Sequence, residues 1–313
     1  MKNAAYEGGA YMENQCIFIN GRWTDTGHYY QICDKYTGAP FARVCRASAA
    51  EITRAVDAAQ EAFRHSPLSP YTRHEILMKA SQLLIASRDQ LALTIAREAG
   101  KPLKDALLEV SRAANTFRIS AEEALRVKGE VVPLSTPGCE NRFAYTIRVP
   151  LGIVCAISPF NFPLNLVAHK VAPAIAAGNT VVLKPASATP LSSLQLCRIL
   201  EEAGLPPGYL NAVTGPGAEI GELLLSEPRF ACYTFTGSPA VGKRIRERIG
   251  LRKCTLELGS NSATMVHSDA DLVKAAAACS KMAFANAGQI CISVQRILVQ
   301  RDVLKPFTDL LLD

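Results

Sequence analysis

Ile153-Val154-Cys155-Ala156-Ile157, Thr180-Val181-Val182-Leu183, Leu210-Asn211-Ala212-Val213, Cys232-Tyr233-Thr234-Phe235 and Cys254-Thr255-Leu256-Glu257-Leu258 are five short β-rich runs separated by helical stretches. Their alternation with helices predicts parallel strands joined by crossover helices, an α/β fold. Local chemistry marks the boundaries: Gly178 follows one helix, Thr189-Pro190 opens the next, and Gly204 closes it. A sheet of this kind binds ligands at the carboxyl ends of its strands, so every strand-to-helix turn here is a candidate contact.

Upstream, the pattern is helical. Ser48-Ala49-Ala50-Glu51 is a capping box, and Ile52, Val56, Ala59 and Phe63 follow on one face. Ser69 and Pro70 announce a second helix, with Ile76, Leu77, Ala80, Leu83 and Leu84 facing inward. A third is expected to end near Gly100, and the stretch from Leu103 to about Val127 extends the layer. From Arg142 the period changes to two, with Phe143, Tyr145, Ile147 and Val149 alternating against Arg142, Ala144, Thr146 and Arg148, which predicts a half-exposed strand.

The 313 residues, 49% apolar and 20% charged, suffice for two domains. The net charge of +6 is scattered, and its densest cluster, Lys243-Arg244-Ile245-Arg246-Glu247-Arg248, has no aromatic interleaving. It reads as a solvated helix face, with no nucleic acid partner expected. Of the ten cysteines, several sit inside apolar runs and none forms a C-x-x-C, which suits a reducing, cytoplasmic location. No signal peptide or membrane span is predicted, and the five histidines lack ligand spacing, so no metal is expected.

Two glycine turns follow predicted strands. Gly215-Pro216-Gly217 with Gly221 misses G-x-G-x-x-G by one residue and by itself reads as a turn. Gly237-Ser238-Pro239-Ala240-Val241-Gly242 opens a helix, where N–H groups and the Ser238 hydroxyl are suited to a pyrophosphate. The reactive candidates lie in three segments. Cys291 follows the small-residue turn Asn286-Ala287-Gly288, between a helical stretch from about Asp271 to Ala285 and a β-rich run from Val294 to Val299. Turn placement opens a thiolate to substrate. Glu257 lies in Glu257-Leu258-Gly259 and Asn161 in Pro159-Phe160-Asn161-Phe162-Pro163, a carboxylate base and an amide donor suited to covalent attack on a carbonyl.

With these segments in this order, the chain resembles the aldehyde dehydrogenase superfamily, its lactaldehyde and non-phosphorylating glyceraldehyde-3-phosphate dehydrogenase-like branch. The resemblance implies a Rossmann-like cofactor domain over 1–129 and 152–257, a bridging and oligomerisation hairpin over 130–151, and the start of a catalytic domain over 258–313. It implies a homo-oligomer joined through the hairpin arm. Cys291 would form a thiohemiacetal with an aldehyde, Asn161 and the Cys291 N–H would hold the oxyanion, and Glu257 would activate water to hydrolyse the thioester. Lys184 in Leu183-Lys184-Pro185-Ala186-Ser187 would contact the adenosine ribose or a 2′-phosphate, and Ser158, Gly217, Gly221, Gly237, Ser238, Gly242 and Leu258 would complete the site for NAD or NADP. Ser187 stands where strongly NAD-selective members often carry glutamate. A carboxylate there would repel a 2′-phosphate and serine does not, so NADP is expected to be accepted.

Phe160 matches an aromatic wall of the substrate site. Arg112 matches a position where relatives acting on anionic aldehydes place arginine; a surface ion pair with Glu109 is the alternative. Ile290 stands where some of those relatives have a second arginine, which weighs against such a substrate. A small polar or anionic aldehyde is expected, and Cys291-Ile292-Ser293-Val294-Gln295-Arg296 also looks like members that act on phosphonate aldehydes. Ser260 replaces the second glycine of the usual Glu-Leu-Gly-Gly. Full-length relatives continue past the equivalent of Asp313, so the chain is expected to be a truncated form that leaves apolar edge surface exposed. Two rival functions remain open: a coenzyme-A-acylating semialdehyde dehydrogenase, which Glu257 disfavours, and a catalytically incompetent dinucleotide-binding fragment.

Overall fold

The computed structural model describes residues 4–7 and 10–313, with side chains from residue 14 onward. The chain divides into two compact units: Met1–Thr236 with Ile245–Leu256, and Gly237–Arg244 with Glu257–Asp313.

The larger unit begins with strands β1 (Ala4–Glu7), β2 (Ala10–Gln15), β3 (Ile17–Ile19), β4 (Arg22–Thr24), β5 (Tyr29–Cys33) and β6 (Pro40–Cys45). Helices α1 (Ala49–His65), α2 (Pro70–Ala86), α3 (Arg88–Ala99) and α4 (Leu103–Ala124) follow. The capping box of α1 forms as its sequence predicts: the Ser48 hydroxyl accepts from Ala50 N–H and the Glu51 carboxylate accepts from Ser48 N–H. Pro70 opens α2 beneath its Ser69 cap, and Gly100 closes α3 at φ +70°, a left-handed backbone that favours glycine.

The five predicted strands are all present: β9 (Ile153–Ile157), β10 (Thr180–Lys184), β11 (Leu210–Ala212), β12 (Phe230–Gly237) and β13 (Lys253–Leu258). Between them run α5 (Asn165–Ala176), α6 (Leu191–Glu202), α7 (Gly217–Ser226) and α8 (Pro239–Arg248). The sheet order is β13-β12-β9-β10-β11-β3-β4. β9, β10, β11 and β12 pair in parallel, with Ile157 opposite both Lys184 and Phe235. β3 and β4 join antiparallel at one edge. The chain steps from β9 through β10 and β11 in one direction and returns to place β12 on the other side of β9, which makes the β9–β12 boundary the topological switch point. Val181, Val182, Leu183 and Cys155 are completely buried, the signature of strands covered on both faces. Val110, Phe117, Leu77 and Leu84 join Val181 and Leu183 in one core, and α4 approaches through Ala106, Ala113 and Ala121.

The period-two segment is where the expectation needs correcting. Only β7 (Val131–Val132) and β8 (Ala144–Tyr145) form, as a two-stranded ribbon, and Phe143, Tyr145, Ile147 and Val149 are 65–74% exposed. A two-stranded ribbon has no core face to bury its apolar row against, so alternation alone yields only a short pairing.

The smaller unit has its own core of Val266, Ala276, Cys279 and Phe307. Strands β14 (Ala263–Val266) and β15 (Arg296–Val299) pair in parallel, with helices α9 (Leu272–Phe284) and α10 (Leu304–Leu312). Met265, Phe284, Ile292 and Leu312 are exposed. Among the described residues no helix is long and apolar enough to cross a membrane, and no group of three His, Cys, Asp or Glu side chains is arranged to hold a metal.

Glu98 is fully buried and accepts from the N–H groups of Leu191 (2.7 Å) and Ser192 (3.0 Å), satisfying the amino end of α6. Burial pushes its carboxyl up to about 7 against the pull of those donors. A buried acid raised in this way stabilises fully below its unfolded value, and the contribution is lost as pH rises through about 7. Chemical denaturation between pH 5 and 8 is expected to show a loss on the order of 2–3 kcal/mol for the native chain and a flatter profile for Glu98→Gln, which keeps an acceptor.

Candidate active site and cofactor cradle

At the carboxyl ends of the parallel strands the larger unit gathers a set of polar groups. Ser158 follows β9, and its N–H donates to the Lys184 carbonyl at 3.2 Å. Its hydroxyl is buried and has no hydrogen-bond partner among the described residues. Lys184, last residue of β10, is 4% exposed; its ammonium donates to the Pro185 carbonyl at 3.1 Å, and burial pulls it down to about 8. A buried cation whose partner among the described residues is a carbonyl is a ready donor to ribose hydroxyls or a phosphate. Ser187 donates to the Gly215 carbonyl at 2.6 Å, tying the turn after β10 to the turn before α7. Added Cβ atoms at Gly217 or Gly221 would meet nothing within 4 Å, so this face of α7 is open to close approach. The Ser158 hydroxyl, the Lys184 ammonium and the open face of α7 fit the sugar and phosphates of a dinucleotide.

Asn161 and Phe160 lie in the loop between β9 and α5; Asn161 is half-buried and Phe160 is 46% exposed. Lys170, on α5, is buried and donates to Thr236 Oγ1 (2.7 Å) and Thr234 Oγ1 (3.3 Å) on β12. Arg112 is not paired with Glu109 as a surface ion pair. The Glu109 carboxylate is buried against Lys101, and Arg112, one turn further along α4, lines an open cavity of about 330 Å³. Ser111, Asn115, Thr116, Ile119 and His169 form the rest of its wall. His169 Nε2 stands 3.4 Å from Thr116 Oγ1, and burial together with the Arg112 charge lowers its basicity. This cavity offers one permanent cation and several neutral hydrogen-bonding groups.

In the smaller unit, Ser238 caps α8 by accepting from Val241 N–H at 3.4 Å. Gly242 has a packing role: a Cβ there would lie 2.5 Å from Leu258 Cδ2, so glycine lets α8 approach the end of β13. Gly237 ends β12 and stands directly before Ser238. Glu257 and Leu258 end β13, the carboxylate exposed. Cys291 is the exposed member of the free cysteines. It follows a 3₁₀ turn, Ala285–Gly288, in which Asn286 (φ 50°) and Ala287 (φ 55°) hold left-handed conformations. For alanine that conformation costs on the order of 1 kcal/mol, and such strain concentrates at functional turns. Ser293 fastens the turn, its hydroxyl donating to the Ala283 carbonyl (3.2 Å) and its N–H to the Ile290 carbonyl (3.0 Å). Ala263 on β14 is in register with Arg296 on β15, so the segments carrying Glu257 and Cys291 enter the ribbon at the same end.

Sequence reasoning missed Lys101, Lys170 and His169, and left Ser111, Asn115 and Thr116 unassigned. The last three, with Arg112 and Ile119, recur at helical i, i+4 and i+7 spacing, a signal present in the sequence. The partners of the two lysines lie on other elements, where spacing gives no guide.

The family model for the aldehyde dehydrogenase family matches residues 23–313. The 3-sulfolactaldehyde dehydrogenase of Priestia aryabhattai is 51% identical over 294 residues, covering 94% of this chain and 61% of that protein. A lactaldehyde dehydrogenase of Methanococcus maripaludis is 36% identical, covering 95% and 64%. The NADP-dependent glyceraldehyde-3-phosphate dehydrogenase of Bacillus halodurans, complexed with NADP, superposes at a TM-score of 0.91 with 36% identity, covering 95% of this chain and 64% of that one. The chain thus spans a little over three fifths of the length of these relatives.

Brief treatment with iodoacetamide followed by peptide mapping is expected to label Cys291 well before Cys155 and Cys197, which are buried and whose thiols burial pushes up.

Proposed function

Because the chain belongs to the aldehyde dehydrogenase family, we propose that it carries the chemistry of an enzyme that oxidises an aldehyde to a carboxylic acid with NAD or NADP. The observation that carries the reading is the exposed Cys291 on a strained turn fastened by Ser293.

The Cys291 thiolate adds to the carbonyl carbon; a C–S bond forms and the carbonyl π pair moves to oxygen. The roles proposed for the Asn161 amide and the Cys291 N–H are to donate to that oxyanion. Collapse of the oxyanion expels hydride from the same carbon and leaves a thioester on Cys291. A dinucleotide held by the residues named below would supply the hydride acceptor. Glu257 then takes a proton from water as its oxygen attacks the thioester; the C–S bond breaks, releasing the acid and the thiolate. Lys184 and Ser158 are the proposed ribose and phosphate contacts, with Ser187 and the face of α7 bearing Gly217 and Gly221 beside them. Gly237, Ser238 and Gly242 are the proposed glycine-turn contacts, and Leu258 the proposed apolar contact. Residues 1–129 with 152–257 would serve the cofactor and 258–313 begin the catalytic part. The exposed ribbon residues Phe143, Tyr145, Ile147 and Val149 support pairing with a second copy of the chain.

For the substrate we favour a small polar or anionic aldehyde. Arg112 and His169 in one cavity support an anionic group at the end remote from the carbonyl, and the relative that is 51% identical is named for a sulfonate-bearing aldehyde.

Two measurements test this reading. A burst of reduced-cofactor absorbance with short aldehydes is expected from the native chain and absent in Cys291→Ala, with NADP used at an efficiency at least comparable to NAD. A folded chain with no burst would overturn the assignment. Arg112→Gln should raise KM for an anionic aldehyde by roughly 10-fold or more while leaving a neutral one of the same length nearly unchanged; equal effects on both would remove Arg112 from substrate recognition.

A further inference from the structure

The loop that carries Asn161 is held at its backbone, group by group, by side chains from elsewhere in the larger unit. Lys101, on the connection between α3 and α4, is buried, and its ammonium donates to the Asn161 main-chain carbonyl at 2.8 Å. The same ammonium lies 3.7 Å from the centroid of the Phe162 ring. Its charge is balanced by Glu109 on α4; the side chains of the pair are 1% and 0% exposed. The other Glu109 oxygen accepts from Leu164 N–H (3.0 Å) and Asn165 N–H (3.1 Å), the first turn of α5, which has no side-chain cap of its own. Thr189 donates to the Phe160 carbonyl (3.4 Å) and Ser193 to the Pro163 carbonyl (3.1 Å).

This construction is costly for a purely structural purpose. A buried ion pair recovers its desolvation penalty only with good geometry and further hydrogen bonds, and apolar residues of similar volume often serve stability as well or better. What the pair provides that apolar residues cannot is directional bonding to both ends of one short loop. The ammonium fixes the carbonyl of Asn161 itself, and the carboxylate fixes the helix start that follows. An oxyanion donor works only if it is already in position when charge develops on the substrate.

We propose that Lys101 and Glu109 are positioning residues that lock the peptide of Asn161, so that its side-chain amide is pre-set for the oxyanion of an aldehyde adduct. The proposal rests on the functional reading above only for what Asn161 donates to; the locking itself is a property of the loop. Neither residue touches substrate in this account.

The test compares the native chain with Lys101→Met/Glu109→Ala, which removes both charges together and so leaves no lone buried ion. Lys101→Met/Glu109→Gln is the variant better able to fold, because glutamine still accepts from the α5 N–H groups. Amide hydrogen exchange followed by mass spectrometry, under conditions where all chains melt cooperatively, is expected to show peptides spanning residues 159–166 exchanging at least fivefold faster in both variants. Peptides from β9 and β10 should be unchanged. Equal protection of the loop in either folded variant overturns the proposal, as does loosening spread evenly over the sheet. In turnover assays the variants should lose about 10- to 100-fold in kcat with KM for the dinucleotide held within about threefold, matching the direction of Asn161→Ala. A fall in cofactor affinity with kcat preserved also overturns it. A chain inactive on every aldehyde would sink the functional reading, while the exchange pattern still decides whether the pair locks the loop.

Discussion

Every helix that follows a parallel strand starts with backbone N–H groups that nothing within the helix can satisfy, and the rest of this molecule is arranged around how those groups are answered. For α5 and α6 the answer comes from outside the sheet layer. Glu109 on α4 accepts from the first turn of α5, and Glu98 at the end of α3 accepts from the first turn of α6. Neither helix has a capping side chain of its own. Two buried carboxylates thus fasten the helical layer onto the sheet at the carboxyl ends of β9 and β10, where a ligand would approach. α7 likewise has no side-chain cap, and added Cβ atoms at its Gly217 and Gly221 would meet nothing within 4 Å.

The cations differ in the same way: Lys101 is buried with a carboxylate, while Lys184 is buried beside the Pro185 carbonyl. Lys170 takes a third course, satisfied by two threonine hydroxyls of the neighbouring strand. Three lysines within one unit thus illustrate how the partner, more than the burial, decides what an ammonium can do.

Much of the fold was legible in the sequence because it depends on local chemistry. The capping box at Ser48 and Glu51, the cap and proline at Ser69 and Pro70, and the glycine stop at Gly100 each act within a few residues, and each forms as read. β9 and β10 were legible for a related reason: strands covered on both faces carry near-continuous apolar residues, whereas β13 alternates exposed and half-buried positions. The ribbon of Val131–Val132 and Ala144–Tyr145 was misread in length, since alternation reports a face, and among the described residues no core covers that face. For the candidate site, Cys291 and its turn could be picked out from small residues between a helix and a strand. The left-handed conformation of Ala287, a residue with no special liking for it, could not.

The sequence by itself determined the elements, their order, the α/β class and the residue types fit for attack on a carbonyl, because caps, turns and hydrophobic runs act over short spans of chain. The tertiary structure alone decided which charges meet. That Glu109 pairs with Lys101 and leaves Arg112 to line a cavity, that Ser187 binds the Gly215 carbonyl, and that Ser158 keeps a buried hydroxyl without a hydrogen-bond partner among the described residues are all outcomes of packing. The physical reason is range: a hydrogen bond or ion pair is satisfied by whatever lies within about 3 Å, and for groups far apart in the chain only the folded backbone sets that distance.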